Sequence, residues 1–552
     1  MENRLAASSG ESRFEMKKLW PWLLVFLILY TVGCIRVRLL DMPLERDEGE
    51  YAYAGQLLLQ GVPPYELAYN MKLPGTYFAF AVGMAIFGKT TVGVHLMLLA
   101  ANSLTAIFVF LLGRRLFGLL AGLVACGAYA VLSMSPAVLG LAAHATQFVM
   151  LCAVPATLLL WMFHESERTG VLFCSALLYC LAFLMKQPGI VFGVFGGLFL
   201  LGHGGVSRRP AQWFATTGLV YGLGLLLPFA LTCAAMAWAG NFGRFWFWTF
   251  TYAQSYGTTP TLAYGLMMFR SYFSDYLAVY FPFFIVTAMG LAFVLRNAAL
   301  RTGILFSLGF FVFGLIGTSM GFYFRQHYFI LLLPAFAVLT GLSVRSLQEQ
   351  CASKSARIVL VAAFIAVLGW PLLYSRGVFF RKPPDQVVEA LYSGNPFNEA
   401  VPVAAYIREH SAPDARVAVI GSEPEIYFYS QRHSATGYIY TYPLTEHQAN
   451  AGKMTADMMR EVEAARPEFM VWIEYPFSWL VKRPDQLPLF TWFNDYVGKY
   501  CELVGVASRS PSGKNFYLWD NEARAYDGSL GNCILVFKRK AVQAAPPGPG
   551  HP

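Results

Sequence analysis

Between positions 45 and 50 the chain places Glu45, Arg46, Asp47, Glu48 and Glu50, in a sequence that is only 13% charged. Beside a membrane such a cluster is costly, at about 2.5–3.5 kcal/mol for each charge drawn toward the bilayer centre. It must therefore sit in water or line a working cavity. A carboxylate at a membrane surface can act as a general base that takes a proton from an acceptor hydroxyl or amine. Asp47 and Glu48 are the candidates. Their oxygens could also hold Mg²⁺ or Mn²⁺, although two carboxylates are too few to define a metal site. A plainer reading stays open beside these. The two acids open a piece in which Tyr51, Leu58 and Leu59 could share one helical face, so they could be cap and first-turn charges.

A second set of residues is basic. Lys72, Lys186 and Arg325 each abut an apolar run that should repel a charge. Several cations at one membrane face suit a phosphate group held at the lipid–water boundary. Arg36 and Arg38 follow the first apolar run and need only snorkel. The dense aromatic stretch Trp246 to Tyr256 (WFWTFTYAQSY) reads as an outer loop, serving either as an interfacial belt or as a surface for sugar stacking.

The elements that position these residues are membrane spans. Of 552 residues, 56% are hydrophobic and 16% aromatic, and the mean hydropathy is +0.48. That composition excludes a soluble globular protein. The net charge of +9 reflects Lys and Arg gathered in cytoplasmic loops and does not point to nucleic acid. Residues 1–18 form a cytoplasmic N-terminus, and the first apolar run is followed by charge with no small-residue cleavage site, so it reads as an uncleaved span. Basic residues at alternate gaps (Lys17/Lys18, Arg114/Arg115, Arg168, Arg208/Arg209, Arg296/Arg301, Arg345/Lys354/Arg357) set the orientation. About eleven spans follow, near 19–38, 91–112, 118–138, 146–163, 171–185, 189–203, 213–239, 277–295, 303–320, 328–344 and 358–374. The short run from Leu73 to Gly88 is left half-embedded on the outer face, and the C-terminus falls outside.

After Tyr374 no run is long enough to span. Strand-like pieces (Val417–Ile420, Phe469–Ile473, Cys501–Val506, Cys533–Phe537) alternate with helix-like ones (Pro402–His410, Met454–Ala465), which predicts an α/β domain over 375–543 with a partly parallel sheet. Residues 544–552 read as a disordered Pro/Gly tail. Cys501 and Cys533 could bridge if this domain is extracytoplasmic, and no Cys/His spacing suggests zinc. The segment Ile420-Gly421-Ser422-Glu423-Pro424-Glu425 lacks the glycine spacing of a nucleotide fingerprint and reads as a turn and cap.

Five motifs in order resemble one family. They are Asp47-Glu48 in the first outer loop, Asn70-Met71-Lys72-Leu73-Pro74, Gly113-Arg114-Arg115-Leu116-Phe117, Leu181 to Pro188 (LAFLMKQP), and His327-Tyr328-Phe329 with Pro334. Over roughly residues 15–375 the chain is similar to bacterial glycosyltransferases of the GT-C class, in the protein O-mannosyltransferase and aminoarabinose-transferase superfamily. It departs from that pattern where His144-Ala-Thr-Gln147 stands in place of a charged residue, and where Met71 precedes and Leu73-Pro74 follows Lys72. The resemblance implies transfer of a sugar from a polyprenyl-phosphate carrier to an extracytoplasmic lipid, polysaccharide or protein acceptor. In it Asp47 matches the catalytic base and Glu48 its acidic neighbour, which orients it or helps hold a cation. Lys72 matches a donor-phosphate cation, with Lys186, Arg325 and His327 as further phosphate candidates. Tyr51, Tyr69, His144, Trp246 and Tyr256 are candidate sugar or acceptor contacts.

The expected architecture is thus a polytopic α-helical membrane protein of GT-C type with a C-terminal extracytoplasmic α/β domain. Residues 19–374 would form the transmembrane catalytic domain, with its first outer loop at 41–90, in an inner membrane. The alternative is a polytopic transporter or lipid-linked sugar flippase. Paired broken helices or internal pseudo-symmetry would mark that alternative, and neither is visible in the sequence.

Overall fold

A backbone inside a bilayer finds no water to bond its N–H and C=O groups, so apolar runs of this length must close their hydrogen bonds internally as helices. The computed structural model describes residues 2–294, 297–446, 448–480, 488–509, 515–528 and 531–541, with side chains from Leu19 onward. The tail at 544–552, the Lys17 and Lys18 side chains and Arg296 lie outside the described residues. The chain forms two units. One comprises residues 1–42 and 71–387, the other residues 43–70 and 388–552.

The first unit is helical. In chain order it contains α1 (Glu2–Val37) and then, after α2 (Arg46–Leu59) of the second unit, α3 (Pro74–Phe87), α4 (Thr91–Phe117), α5 (Leu119–Leu132), α6 (Ala145–Ser166), α7 (Thr169–Met185), α8 (Ile190–Val206) and α9 (Ala211–Trp238). There follow α10 (Phe242–Trp246), a π-helical stretch (Phe247–Tyr252), α11 (Ala253–Thr258), α12 (Leu262–Val294), α13 (Arg301–Ser319), α14 (Leu333–Gln350) and α15 (Lys354–Tyr374). Among the described residues, 9 helices are long and apolar enough to cross a membrane, while α3, α5 and α7 are shorter apolar helices. Lipid is as apolar as leucine, so these helices associate by close backbone approach rather than by water exclusion. Small residues supply that approach. A Cβ on Gly341 of α14 would stand 2.2 Å from the Ala121 carbonyl oxygen of α5, and one on Gly290 of α12 would stand 2.3 Å from Ser343 of α14. The core between them holds Phe110, Tyr129, Phe192, Tyr280, Phe310 and Phe329.

Three sequence expectations change here. Helix α12 begins at Leu262, well before the expected span at 277, because Arg270 and Asp275 lower the hydropathy of that stretch without breaking a helix. Trp246 to Tyr256 is helical rather than a loop. It has no Pro or Gly to interrupt it, and its rings pack at i, i+4, with Trp246–Phe250 at 4.5 Å and Trp248–Tyr252 at 5.0 Å. Arg36 does not snorkel. It is buried, and it donates to the Ser133 carbonyl at 3.4 Å.

The second unit is a six-stranded sheet in the order β2-β1-β3-β6-β4-β5. Its strands are β1 (Arg416–Ile420), β2 (His433–Ser434), β3 (Phe469–Ile473), β4 (Cys501–Arg509), β5 (Asn515–Trp519) and β6 (Cys533–Arg539). Strand β1 runs parallel to both β2 and β3, and the remaining pairs are antiparallel, so the sheet is partly parallel as expected. Helices α16 (Pro384–Leu391), which begins in the first unit, α17 (Phe397–Glu409), α18 (Glu425–Ser430), α19 (Tyr442–Thr445), α20 (Ala451–Ala465), α21 (Pro488–Tyr500) and α22 (Asn521–Arg524) accompany it. Cys501 and Cys533 do not bridge. In the β4–β6 ladder Cys501 pairs with Arg539 and Cys533 with Ser508, which puts them at opposite ends, and both thiols are free. The second unit also takes in residues 43–70, a segment that hydropathy had grouped with the spans.

Candidate active site

In the helical unit the expected cations come together. Lys186 ends α7 at the point where Gln187 and Pro188 break the helix, and its side chain is buried. Its Nζ donates to His327 Nε2 at 3.4 Å and stands 4.1 Å from the centre of the Tyr328 ring. His327 lies in a 3₁₀ turn (Gln326–Leu332) and stacks on His144, with ring centres 4.2 Å apart and planes inclined by 15°. His144 is the residue before α6, and Thr146 in the first turn donates to the His327 carbonyl at 2.9 Å. The charges of Lys186, Arg325 and Lys72 all act at the His327 ring.

The segment carrying Lys72 is fastened to the end of α7. Gln187 Nε2 donates to the Met71 carbonyl at 2.6 Å and Thr76 Oγ1 to the Met185 carbonyl at 2.5 Å. A Cβ on Gly75 would lie 2.5 Å from the Leu184 carbonyl oxygen, so the approach is as close as glycine permits. Arg325 donates to the Tyr256 hydroxyl at 3.2 Å, and Tyr256 stacks on Tyr323 at 4.5 Å. Trp246 is half exposed and lines an apolar cavity of about 720 Å³ between α7, α8 and α9, together with Phe183, Tyr221, Leu225, Phe229 and Phe250. The Gln187 amide, next to Lys186 in the chain, also donates to the Thr249 carbonyl at 3.3 Å.

In the α/β unit, α2 carries the acids. Glu45 caps it: its Oε1 accepts the Glu48 amide at 3.0 Å, and Glu48 Oε2 accepts the Glu45 amide at 3.3 Å. This reciprocal box satisfies two amides that a helix start leaves open. The plain reading therefore holds in part for Glu48, with Glu45 as the cap. Burial, and then the charges of Asp47 and Glu48, hold the Glu45 carboxyl well above the usual carboxylate range. A protonated Glu45 lessens the repulsion on the two acids beside it. Residues Glu48 to Leu57 are all buried, so the helix is enclosed rather than amphipathic, and only its end at Leu59 is exposed. Tyr51 is fully buried within it. Tyr69 packs edge-on against Tyr438 at 5.1 Å and donates to Glu461 at 3.3 Å.

Two partners of the acids were not found by sequence reasoning. The Tyr440 hydroxyl lies 3.2 Å from Glu50 Oε2 and 3.1 Å from the Arg46 carbonyl. Burial, and then Glu50 and Asp47, raise its phenol well above the ordinary value, which keeps it a donor. Tyr392 feels the charges of Glu45, Glu48 and Asp47. Both tyrosines come from the far end of the sequence, and nothing near them in the chain marks either one.

Residues 72–238 match the family described as dolichyl-phosphate-mannose-protein mannosyltransferase. No curated protein sequence matches the chain. Among solved structures it is similar to ArnT from Cupriavidus metallidurans bound to undecaprenyl phosphate, at 15% identity and TM-score 0.59, covering 93% of this chain and 97% of that one. It is also similar to the archaeal oligosaccharyltransferase AglB from Archaeoglobus fulgidus, in complex with an inhibitory peptide and a dolichol-phosphate. There the identity is 12% and the TM-score 0.51, covering 92% of this chain and 75% of that one. With its helical unit, its small sheet domain and its mannosyltransferase-like stretch, the chain is a membrane protein of the GT-C glycosyltransferase fold.

Proposed function

We propose that this protein moves a sugar from a polyprenyl-phosphate carrier to an extracytoplasmic lipid, polysaccharide or protein acceptor, at the outer face of an inner membrane. The observation that carries the proposal is that the charges of Lys72, Lys186 and Arg325, drawn from three separate stretches of chain, all act at the buried His327 ring. As the glycosidic bond breaks, negative charge builds on the leaving phosphate. Cations already in place where water is scarce stabilise it without reorganising. The apolar cavity between α7, α8 and α9 suits a prenyl chain. Asp47 takes the acceptor's proton, and attack opposite the leaving phosphate inverts the anomeric carbon, by analogy with inverting glycosidases. Glu48 orients that base by closing the box at the helix start. Asp47 and Glu48 are hard oxygen ligands of the kind Mg²⁺ or Mn²⁺ takes, and such an ion, when bound, would supply positive charge to the reaction. His144 stacks on His327, Tyr256 bonds Arg325 and Trp246 lines the apolar cavity, and these three would meet the sugar. Tyr51 and Tyr69, the remaining candidate contacts, are both buried in the α/β unit.

The test uses the full chain in lipid nanodiscs with a panel of undecaprenyl-phosphate-linked hexoses and pentoses, following release of undecaprenyl phosphate by mass spectrometry. Asp47→Asn removes the proton acceptor while keeping shape, so turnover should fall by about 10²–10⁴-fold while undecaprenyl phosphate still binds. Lys72→Ala should weaken that binding and also lower turnover, because its charge meets phosphate in both ground and transition states. Near-normal turnover in Asp47→Asn with a dead Glu48→Gln would move the base by one residue. Full activity in both acid variants would end the proposal.

A further inference from the structure

Arg46 stands immediately before the proposed base, and its side chain is used in an unusual way. It is 13% exposed, and its Nε donates to the Ser422 carbonyl at 2.5 Å. Its Nη2 donates to Asn395 Oδ1 at 3.0 Å and to Glu423 Oε1 at 2.8 Å. The guanidinium also lies over Phe397 at 5.5 Å and Tyr442 at 5.3 Å. Glu423 is itself fixed, since its Oε2 accepts from the Ser422 amide at 2.7 Å and the Ser478 hydroxyl at 2.6 Å. On the backbone side, the Tyr440 hydroxyl sits 3.1 Å from the Arg46 carbonyl. One turn further on, Gly49 meets Glu425 so closely that a Cβ would lie 2.6 Å from the Glu425 Cβ.

This is more than a helix start needs. Two of the open amides are already met by the Glu45–Glu48 box, with no help from the Arg46 side chain. A buried guanidinium also brings a desolvation cost that only good geometry and full hydrogen bonding offset. What the extra contacts add is direction. A planar fork held by a carboxylate, an amide and a carbonyl permits little rotation of the turn that carries Asp47. A misplacement of about 1 Å at a reacting group can cost on the order of 10²-fold in rate.

We propose that Arg46 is a positioning residue, and that its clasp with Ser422, Glu423 and Asn395 makes the α/β unit the part that aims Asp47. The inference rests on the reading of Asp47 as base. Its test compares Arg46→Gln, Arg46→Lys, Glu423→Gln and Asp47→Asn in the full chain, in nanodiscs, by release of undecaprenyl phosphate from the same sugar panel. Undecaprenyl phosphate alone serves as the binding probe. Arg46→Gln should lower turnover about 10–100-fold with unchanged probe affinity, and Arg46→Lys should recover part of the loss. Arg46→Gln combined with Asp47→Asn should be no slower than Asp47→Asn alone, because a base that is absent cannot be misaimed. Should Arg46→Gln fail to fold, Glu423→Gln, which keeps acceptor oxygen and volume, carries the same expectation in milder form. Wild-type turnover in folded Arg46→Gln beside an inactive Asp47→Asn would overturn the positioning role and leave the base assignment standing. So would equal losses in the glutamine and lysine variants that track only the fraction of folded protein. Full turnover in Asp47→Asn would instead remove the base assignment, and this inference with it.

Discussion

Glu425 shows how one residue can couple the clasp to pH. Its carboxyl is fully buried, and neither oxygen has a hydrogen-bond partner among the described residues. Burial first, and the neighbouring Glu423 second, raise it well above the ordinary carboxylate value, with Arg46 opposing. The folded protein therefore holds this proton more tightly than the unfolded chain does. That contribution to stability is fully present below the ordinary glutamate range and is lost as pH rises from there through the raised value. Glu425→Gln is neutral at every pH and should escape the loss. The melting temperatures of the full-length wild type and variant should run together in acid and separate as pH climbs, with the variant higher. Parallel curves across the whole range would mean that Glu425 is not held protonated. Glu423, bonded to Arg46, Ser422 and Ser478, is the contrasting case of a buried acid whose oxygens are all used.

Helix α2 sets the limits of what the sequence reveals. Gly49 lies inside it, where alanine would ordinarily gain about 1 kcal/mol in helix propensity. Here the added Cβ meets the Glu425 backbone nitrogen at 2.7 Å and its Cα at 2.8 Å, atoms that cannot rotate away. Overpacking typically costs about 1–3 kcal/mol, so Gly49→Ala should lower the melting temperature, and an unchanged or higher value would show that α18 gives way easily. The apolar helices, the strands β1, β3, β4 and β6 and the charges beside apolar runs were legible because each leaves a local mark: an apolar run, an alternation, or a charge where none should be. Lys186 and Arg325 could be singled out for that reason. The clasp could not, since Arg46 and Glu423 are unremarkable charges separated by most of the chain. The helical state of Trp246 to Tyr256 was hidden by composition, because an aromatic-rich polar stretch looks like a loop until its rings pack. The enclosure of α2 was hidden because the residues that meet it, such as Tyr440 and Glu425, lie after residue 388.

The membrane topology of the whole molecule depends on parity. Among the described residues nine helices qualify as spans by length and apolarity, and the three shorter ones, α3, α5 and α7, decide whether residues after Tyr374 return to the side of the N-terminus. At 1.5 Å per residue, the 14 residues of α3 or α5 reach about 21 Å, short of a hydrocarbon core of about 30 Å. Length alone does not separate them; burial does. Every residue of α5 from Val124 to Leu132 is buried within the bundle, whereas α3 exposes Phe78, Val82 and Ile86 on one face, and on that ground we propose α5 as a crossing and α3 as a helix at the boundary. Counting α5 and α7 but not α3 gives eleven crossings. The basic residues agree, because Arg114 and Arg115 end α4, Arg209 pairs with Glu167, and Arg345 bonds the Phe117 carbonyl, which keeps all of them at one set of helix ends. A reporter that is active only outside the cytoplasm should therefore be silent when fused after Gly118 and active when fused after Lys382. Activity after Gly118 with silence after Lys382 would make α3 a full span and put Arg114 and Arg115 outside. Silence at both would place residues after Lys382 in the cytoplasm, away from any polyprenyl-linked donor presented at the outer face, and the proposed reaction would lose its compartment.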